Sequence, residues 1–146
     1  MTRAERMSAL ALAELSELNE IWEGLAPRPH FHWITQPEFG AVMVRGRVCA
    51  DGRAFNLGEA AVTRCALQLA DTETVGFACV IGRRRRHATL AALLDAVAQT
   101  GDAIGDTARR HIEGLGAARA ERKQAVRASV SATEVDFSML LRAEAS

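Results

Sequence analysis

The sequence predicts an α+β fold built on a largely antiparallel sheet. Three observations predict it: a helical apolar rhythm opens the chain, a two-residue rhythm fills its middle, and helical rhythm returns before a final alternating run. The layout is α-β-β-β-β-α-α-β in a single domain over residues 1–146. It has a sheet of about four to five strands, an N-terminal helix, and two helices before the last strand.

From Arg3 to about Trp22, Met7, Leu10, Ala11, Leu15, Leu18, Ile21 and Trp22 recur at helical spacing, with Glu14, Glu17, Glu20 and Glu23 on the outer face. Thr2 and Glu5 make a capping box; Gly24, Pro27 and Pro29 stop the helix. His30 to Thr35 is aromatic and β-branched and reads as a strand ending at Gln36-Pro37. From Gly40, Val42, Val44 and Val48 alternate with Met43, Arg45 and Arg47, and the run turns at Ala50-Asp51-Gly52-Arg53. A short polar link, Phe55 to Glu59, leads to Ala61–Ala70, where Thr63, Cys65, Leu67 and Leu69 share one face. After a turn at Asp71–Thr74, Val75, Phe77, Cys79 and Ile81 alternate again; the three runs fit a meander with one face buried. A helix is predicted from about His87 to Gln99 and an Arg-rich one from Asp106 to about Ser129. Val135, Phe137, Met139 and Leu141 mark the last strand.

Composition excludes several classes. At 49% hydrophobic and 25% charged residues the chain is ordinary globular material, neither disordered nor a disulfide scaffold. Eighteen basic residues balance eighteen acidic ones, which gives no case for nucleic-acid binding. No apolar run approaches the ~20 residues that span a bilayer, and the glutamates interrupt any signal-peptide core, so a cytoplasmic protein without a membrane partner is expected. Cys49, Cys65 and Cys79 are far apart, with no metal-ligand spacing, and are expected to be reduced. Seventeen of the eighteen basic residues are Arg. That choice suits phosphate and carboxylate recognition, though a GC-rich genome produces the same bias.

The densest polar cluster lies between Arg45 and Arg64. Arg45 and Arg47 share one strand face, about 7 Å apart by strand rise. Asn56, Glu59, Thr63 and Arg64 follow one hairpin later. Two readings stay open: a bidentate clamp on a phosphate-rich ligand, or the solvated face of an amphipathic sheet with Glu59 as an ion-pair partner. Spacing alone favours the second. Arg83 to Arg86 introduce a helix at the end where its dipole disfavours cations, which points to partners outside the chain. His87 reads as an acid/base group or, more commonly, a surface residue. His30 and His32 share a strand face but lack a third ligand. No P-loop, dinucleotide fingerprint or nucleophile elbow is present. The sequence offers binding groups without an acid/base or nucleophile pair.

Several strings together resemble a known family. Pro37-Glu38-Phe39-Gly40-Ala41-Val42-Met43-Val44-Arg45-Gly46-Arg47 and Phe55-Asn56-Leu57-Gly58-Glu59 with Val62-Thr63-Arg64-Cys65 are similar to the paired central motifs of the PhnG family. Gly82-Arg83, His87-Ala88, Leu90 to Ala96 and Val135-Asp136-Phe137 extend the likeness over nearly the whole chain. Departures are Cys49-Ala50 in place of a glycine pair, the ending Ser138–Ala143, and Met7 where Trp is common.

The resemblance implies a subunit of the bacterial carbon–phosphorus lyase core complex, which degrades organic phosphonates. There it would act with a nucleosidase-like subunit and others, two copies per symmetric assembly. The joint reaction would displace adenine from MgATP and form α-D-ribose 1-phosphonate 5-triphosphate. The chain would thus be part of a multi-subunit transferase, inactive alone, binding no cofactor by itself, with MgATP as the complex's co-substrate. Arg45, Arg47, Asn56, Glu59, Thr63, Arg64 and Arg83 are the candidates for the partner interface or shared site. The alternative is a small phosphate-binding module that takes a nucleotide triphosphate directly.

Overall fold

The computed structural model describes residues 1–47 and 52–131. The hairpin tip around Cys49-Ala50, the expected strand from Val135 and the altered ending Ser138–Ala143 lie outside the described residues. The order is α1 (Arg3–Leu12), α2 (Leu15–Gly24), β1 (Phe31–Arg47), β2 (Ala54–Leu69), β3 (Val75–Ile81), α3 (Arg85–Val97) and α4 (Ala103–Ser131). This is α+β, with an antiparallel sheet in the order β1-β2-β3. By compactness the chain divides into Met1–Gly116 and Ala117–Ser146.

The single opening helix expected from periodicity is two helices. The Thr2–Glu5 capping box forms: Glu5 accepts the Thr2 N–H at 2.7 Å, and Thr2 Oγ1 accepts the Glu5 N–H at 3.3 Å. The chain then goes extended at Ala13 (ψ 163°), and a new helix starts where Glu17 accepts the Glu14 N–H at 2.8 Å. Acidic residues at helical spacing hid this second start, because Glu14 and Glu17 also read as a solvated face. The break lets Leu10, Leu18 and Ile21 all reach the core.

The two strands expected before residue 48 are one, β1, which runs through Pro37. Pro37 is tolerated because, among the described residues, β1 is an edge strand and its ladder shifts register between Trp33 and Glu38. The polar link expected at Phe55–Glu59 is likewise part of β2. The four strands expected between His30 and Ile81 are therefore three in the described sheet. A further shift at Val44/Arg45 opposes Leu57 and Gly58 together to Val44, a β-bulge.

Helix α3 covers one face of the sheet. Cys65, Leu67 and Leu69 of β2 and Ala78 and Val80 of β3 meet Leu90, Leu93, Leu94 and Val97, while Ile112 of α4 closes the same core. On β3 the buried set is Gly76, Ala78 and Val80, and Val75, Phe77, Cys79 and Ile81 are exposed. The larger side chains singled out by the sequence thus lie on the uncovered face. Gly76 sets this choice: a Cβ there would stand 2.0 Å from the Ala92 carbonyl oxygen, so β3 approaches α3 closely only with glycine.

Buried Asp95 in α3 fastens the N-terminus to this core. It accepts hydrogen bonds from Arg3 Nη2 (2.7 Å) and Nε (3.3 Å), the Phe77 N–H (3.1 Å) and the Gln99 amide (3.3 Å). In the second unit, 117–130 is α-helical and exposed except at Ala118, with Val126 61% exposed. No helix among the described residues is long and apolar enough to cross a membrane.

Candidate functional site

The central feature is a two-stranded arm. β3 pairs with β2 only over Val62–Gln68, so beyond that point Ala41–Arg47 and Ala54–Ala61 form a ribbon with no third strand against it among the described residues. No residue of the described arm is buried. The two faces of the ribbon differ. Ladder partners share a face, and Gly40 pairs with Val62, Val42 with Ala60 and Val44 with Gly58. A Cβ on Gly46 would lie 3.8 Å from the Phe55 ring and 3.9 Å from Leu57 Cβ, which puts both on the same side. That side is apolar: Val42, Val44, Phe55 and Leu57 are all exposed, Leu57 by two-thirds. It continues onto Phe77 and Ile81 through the pairs Ala66–Phe77 and Val62–Ile81. Among the described residues an apolar strip therefore runs along this face of the sheet, exposed along the arm and on β3 but buried at Val62 between them.

The opposite side of the arm is polar. It carries Met43, Arg45, Arg47, Asn56 and Glu59, with Arg45 paired to Asn56 and Met43 to Glu59. Arg45, Arg47 and Glu59 form no ion pair among the described residues. This side runs on to Phe39, whose ring lies under two guanidiniums, Arg83 at 5.1 Å and Arg85 at 4.8 Å. Cation–π contact stabilises each charge, and both guanidiniums remain exposed.

The sequence-derived cluster is thus divided. Arg45, Arg47, Asn56, Glu59 and Arg83 fall on the α3 side of the sheet. Arg64 falls on the uncovered side, where its Nε donates to Glu38 at 2.7 Å. Eight residues of strand separate Arg64 from Asn56, about 26 Å by strand rise, so the three arginines expected in one clamp do not converge within the chain. Arg64 finds its ion-pair partner in Glu38 rather than Glu59. Thr63 is fully buried: its hydroxyl donates to the Gly82 carbonyl at 2.6 Å and accepts the Arg84 N–H at 2.9 Å. It fixes the loop that carries Arg83 and has no capacity aimed outward.

His87 is buried, not at the surface. An imidazole nitrogen, Nε2, hydrogen-bonds the Leu10 carbonyl at 2.9 Å and ties α3 to α1. The partners expected outside the chain for the arginine run exist partly within it: Arg86 donates to Asn19 at 2.7 Å, and Arg83 and Arg85 rest on Phe39. Buried Cys65 donates its thiol hydrogen to the Ala88 carbonyl at 3.3 Å, and burial pushes its pKa up to about 11, so it is no nucleophile. Cys79 is exposed on the apolar strip. Sequence reasoning missed the strip because the alternation Val75/Phe77/Cys79/Ile81 looks the same whichever face is buried; the available signal was Gly76 and Ala78 between them.

The chain is 35% identical over 142 residues to the "Alpha-D-ribose 1-methylphosphonate 5-triphosphate synthase subunit PhnG" of Rhizobium meliloti (strain 1021), covering 97% of this chain and 90% of that relative. The family described as "Phosphonate metabolism protein PhnG" matches residues 1–143. A match over nearly the whole chain leads to one conclusion: this chain belongs to the PhnG family of phosphonate metabolism proteins.

Proposed function

We propose that the chain is a non-autonomous subunit of a carbon–phosphorus lyase core assembly in the cytoplasm. With a nucleosidase-like subunit, it supports formation of α-D-ribose 1-phosphonate 5-triphosphate from MgATP and an alkylphosphonate, with release of adenine. One observation carries the reading: the relative named as a synthase subunit aligns over nearly the full chain, and the described residues present exposed binding groups rather than an enclosed catalytic set.

The chemistry fits a supporting role. As the bond from ribose C1 to adenine breaks, positive charge develops on the sugar while a phosphonate oxygen attacks C1. Holding the triphosphate and phosphonate in line lowers the barrier by positioning. Fixed cations neutralise the gathered oxygens without reorganising. The partner supplies most of that charge, and Arg45 and Arg47, without an ion pair among the described residues, stand on one side of the arm at the partner interface. Arg83, Asn56 and Glu59 share that side; Arg64 and Thr63 act in holding the sheet and loop.

Coexpression with the nucleosidase-like subunit tests the reading. A co-purifying complex that releases adenine from MgATP in the presence of an alkylphosphonate supports it; separate elution in both low and high salt overturns it. Replacing Arg45 and Arg47 by Ala is expected to abolish growth on phosphonate. The same free arginines favour a second reading, direct triphosphate binding by the chain alone. Calorimetry with millimolar MgATP decides it, because absence of heat and of thermal stabilisation removes it.

A further inference from the structure

The apolar strip on the uncovered sheet face has not been assigned a role by the reaction above. Val42, Val44, Phe55, Leu57, Phe77 and Ile81 on it are all more than a third exposed, and Leu57 and Ile81 reach 66%, while Val62 between the arm and β3 is buried. From Thr35 to Gly46 the strip is about 36 Å long at ~3.3 Å per residue and two to three strands wide at ~4.8 Å each, a footprint on the order of 500 Å². Patches of that size on soluble proteins mark interaction sites. A two-stranded ribbon is also marginal by itself in water.

The charges say what kind of surface covers it. Along the strip the charged side chains are Glu38 and Arg64, and they neutralise each other at 2.7 Å. The covering surface is therefore apolar and needs no charge of its own there. Round the other side of the same arm, Arg45 and Arg47 outnumber the one carboxylate there, Glu59, and form no ion pair among the described residues. A second copy stacked strip to strip offers them nothing, because the carboxylate on its strip, Glu38, is already paired.

We propose that the arm seats in a cleft of a different subunit of the synthase, one wall of the cleft apolar against Val44, Phe55 and Leu57, the other acidic against Arg45 and Arg47. This rests on the reading of the chain as a subunit, and it names the element that docks and the chemistry it meets. The apolar wall supplies affinity, and the acidic wall sets orientation and association rate.

The test uses the full chain coexpressed with the remaining subunits of its assembly. Leu57→Arg and Val44→Glu alter side chains already in water, so each variant alone is expected to melt within about 2 °C of the parent. Each is expected to lower recovery of the other subunits by about 100-fold, since a charge forced into an apolar contact is left unpaired. Charge reversal at Arg45 and Arg47 to Glu is expected to slow association and invert its salt dependence, while exposed Glu20→Lys on α2 changes nothing. Two variants guard against one misfolding. If the parent fails to co-purify, the subunit reading itself falls. If the parent co-purifies and both strip variants do so within about threefold, the docking arm is wrong while the subunit reading stands. Sedimentation that shows the isolated chain as a dimer broken by Leu57→Arg assigns the strip to a second copy and overturns the proposal. Cross-linking of Leu57→Cys to residues 132–146 of its own chain overturns it as well.

Discussion

The Arg3–Asp95 pair gives a sharp test of how the N-terminus is held. Asp95 is fully buried, whereas the Arg3 side chain is 46% exposed, so the two ends of the pair respond unequally to truncation. Arg3→Ala leaves a buried carboxylate supported only by the Phe77 N–H and the Gln99 amide. Stranding a buried charge costs about 3–5 kcal/mol. Water reaching the half-open site lowers this to about 2–3 kcal/mol, after the discount that exposure requires. Asp95→Asn removes the charge but keeps an oxygen for the Phe77 N–H; what it loses is the charge-assisted bond, about 1–2 kcal/mol. The order is therefore Arg3→Ala worse than Asp95→Asn. The double variant costs less than the sum by about 1 kcal/mol, because each single change already breaks the same contact. Urea unfolding followed by Trp22 and Trp33 fluorescence measures all four proteins, with a common slope as the check that only stability changed. A smaller loss for Arg3→Ala than for Asp95→Asn, or strict additivity, would refute the reasoning.

Three further outcomes are expected. Gly76→Ala places a Cβ 2.0 Å from the Ala92 carbonyl and 2.8 Å from Ala96 Cβ, so β3 must leave α3; a loss of about 3 kcal/mol or an unfolded product is expected by thermal melting. At pH 8 a thiol reagent should modify exposed Cys79 quickly and Cys65 only on unfolding, since Cys65 is buried with a pKa of about 11; peptide mapping of early time points checks it. Hydrogen bonds from the Thr2 backbone and side chain hold the Glu5 carboxyl below its ordinary 4.5. Its contribution is then present above that pH and lost as pH falls through the lower folded value, and Glu5→Gln should flatten this part of the acid limb in melting curves.

The elements were legible where one periodicity acted alone. Alternation from Gly40 onward and at Thr63–Leu69, the Leu90–Val97 stripe, and the Thr2–Glu5 cap all correspond to structure. What was hidden has a common cause: tertiary context decides between patterns that look identical locally. Pro37 reads as a strand end unless the strand is known to be an edge with a slipped ladder. Glu14 and Glu17 read as a solvated face unless Ala13 is seen to be extended. The site suffered likewise. The bulge at Leu57 and eight residues of strand put Arg64 and Arg45 on opposite sides of the sheet, a fact of register that spacing cannot carry. His87 beside four arginines looked wet, and only its bond to Leu10 shows it as an interior tie.

The irregular ladder around Pro37 has a consequence for the cell. A copy made in excess of its partners displays adhesive side chains and a long outer strand, the combination that recruits further chains into insoluble material. Along that strand the proline and the two slips between Trp33 and Glu38 break the row of donors and acceptors. A copy without its partners thus carries, in that broken row, its own brake against templated growth.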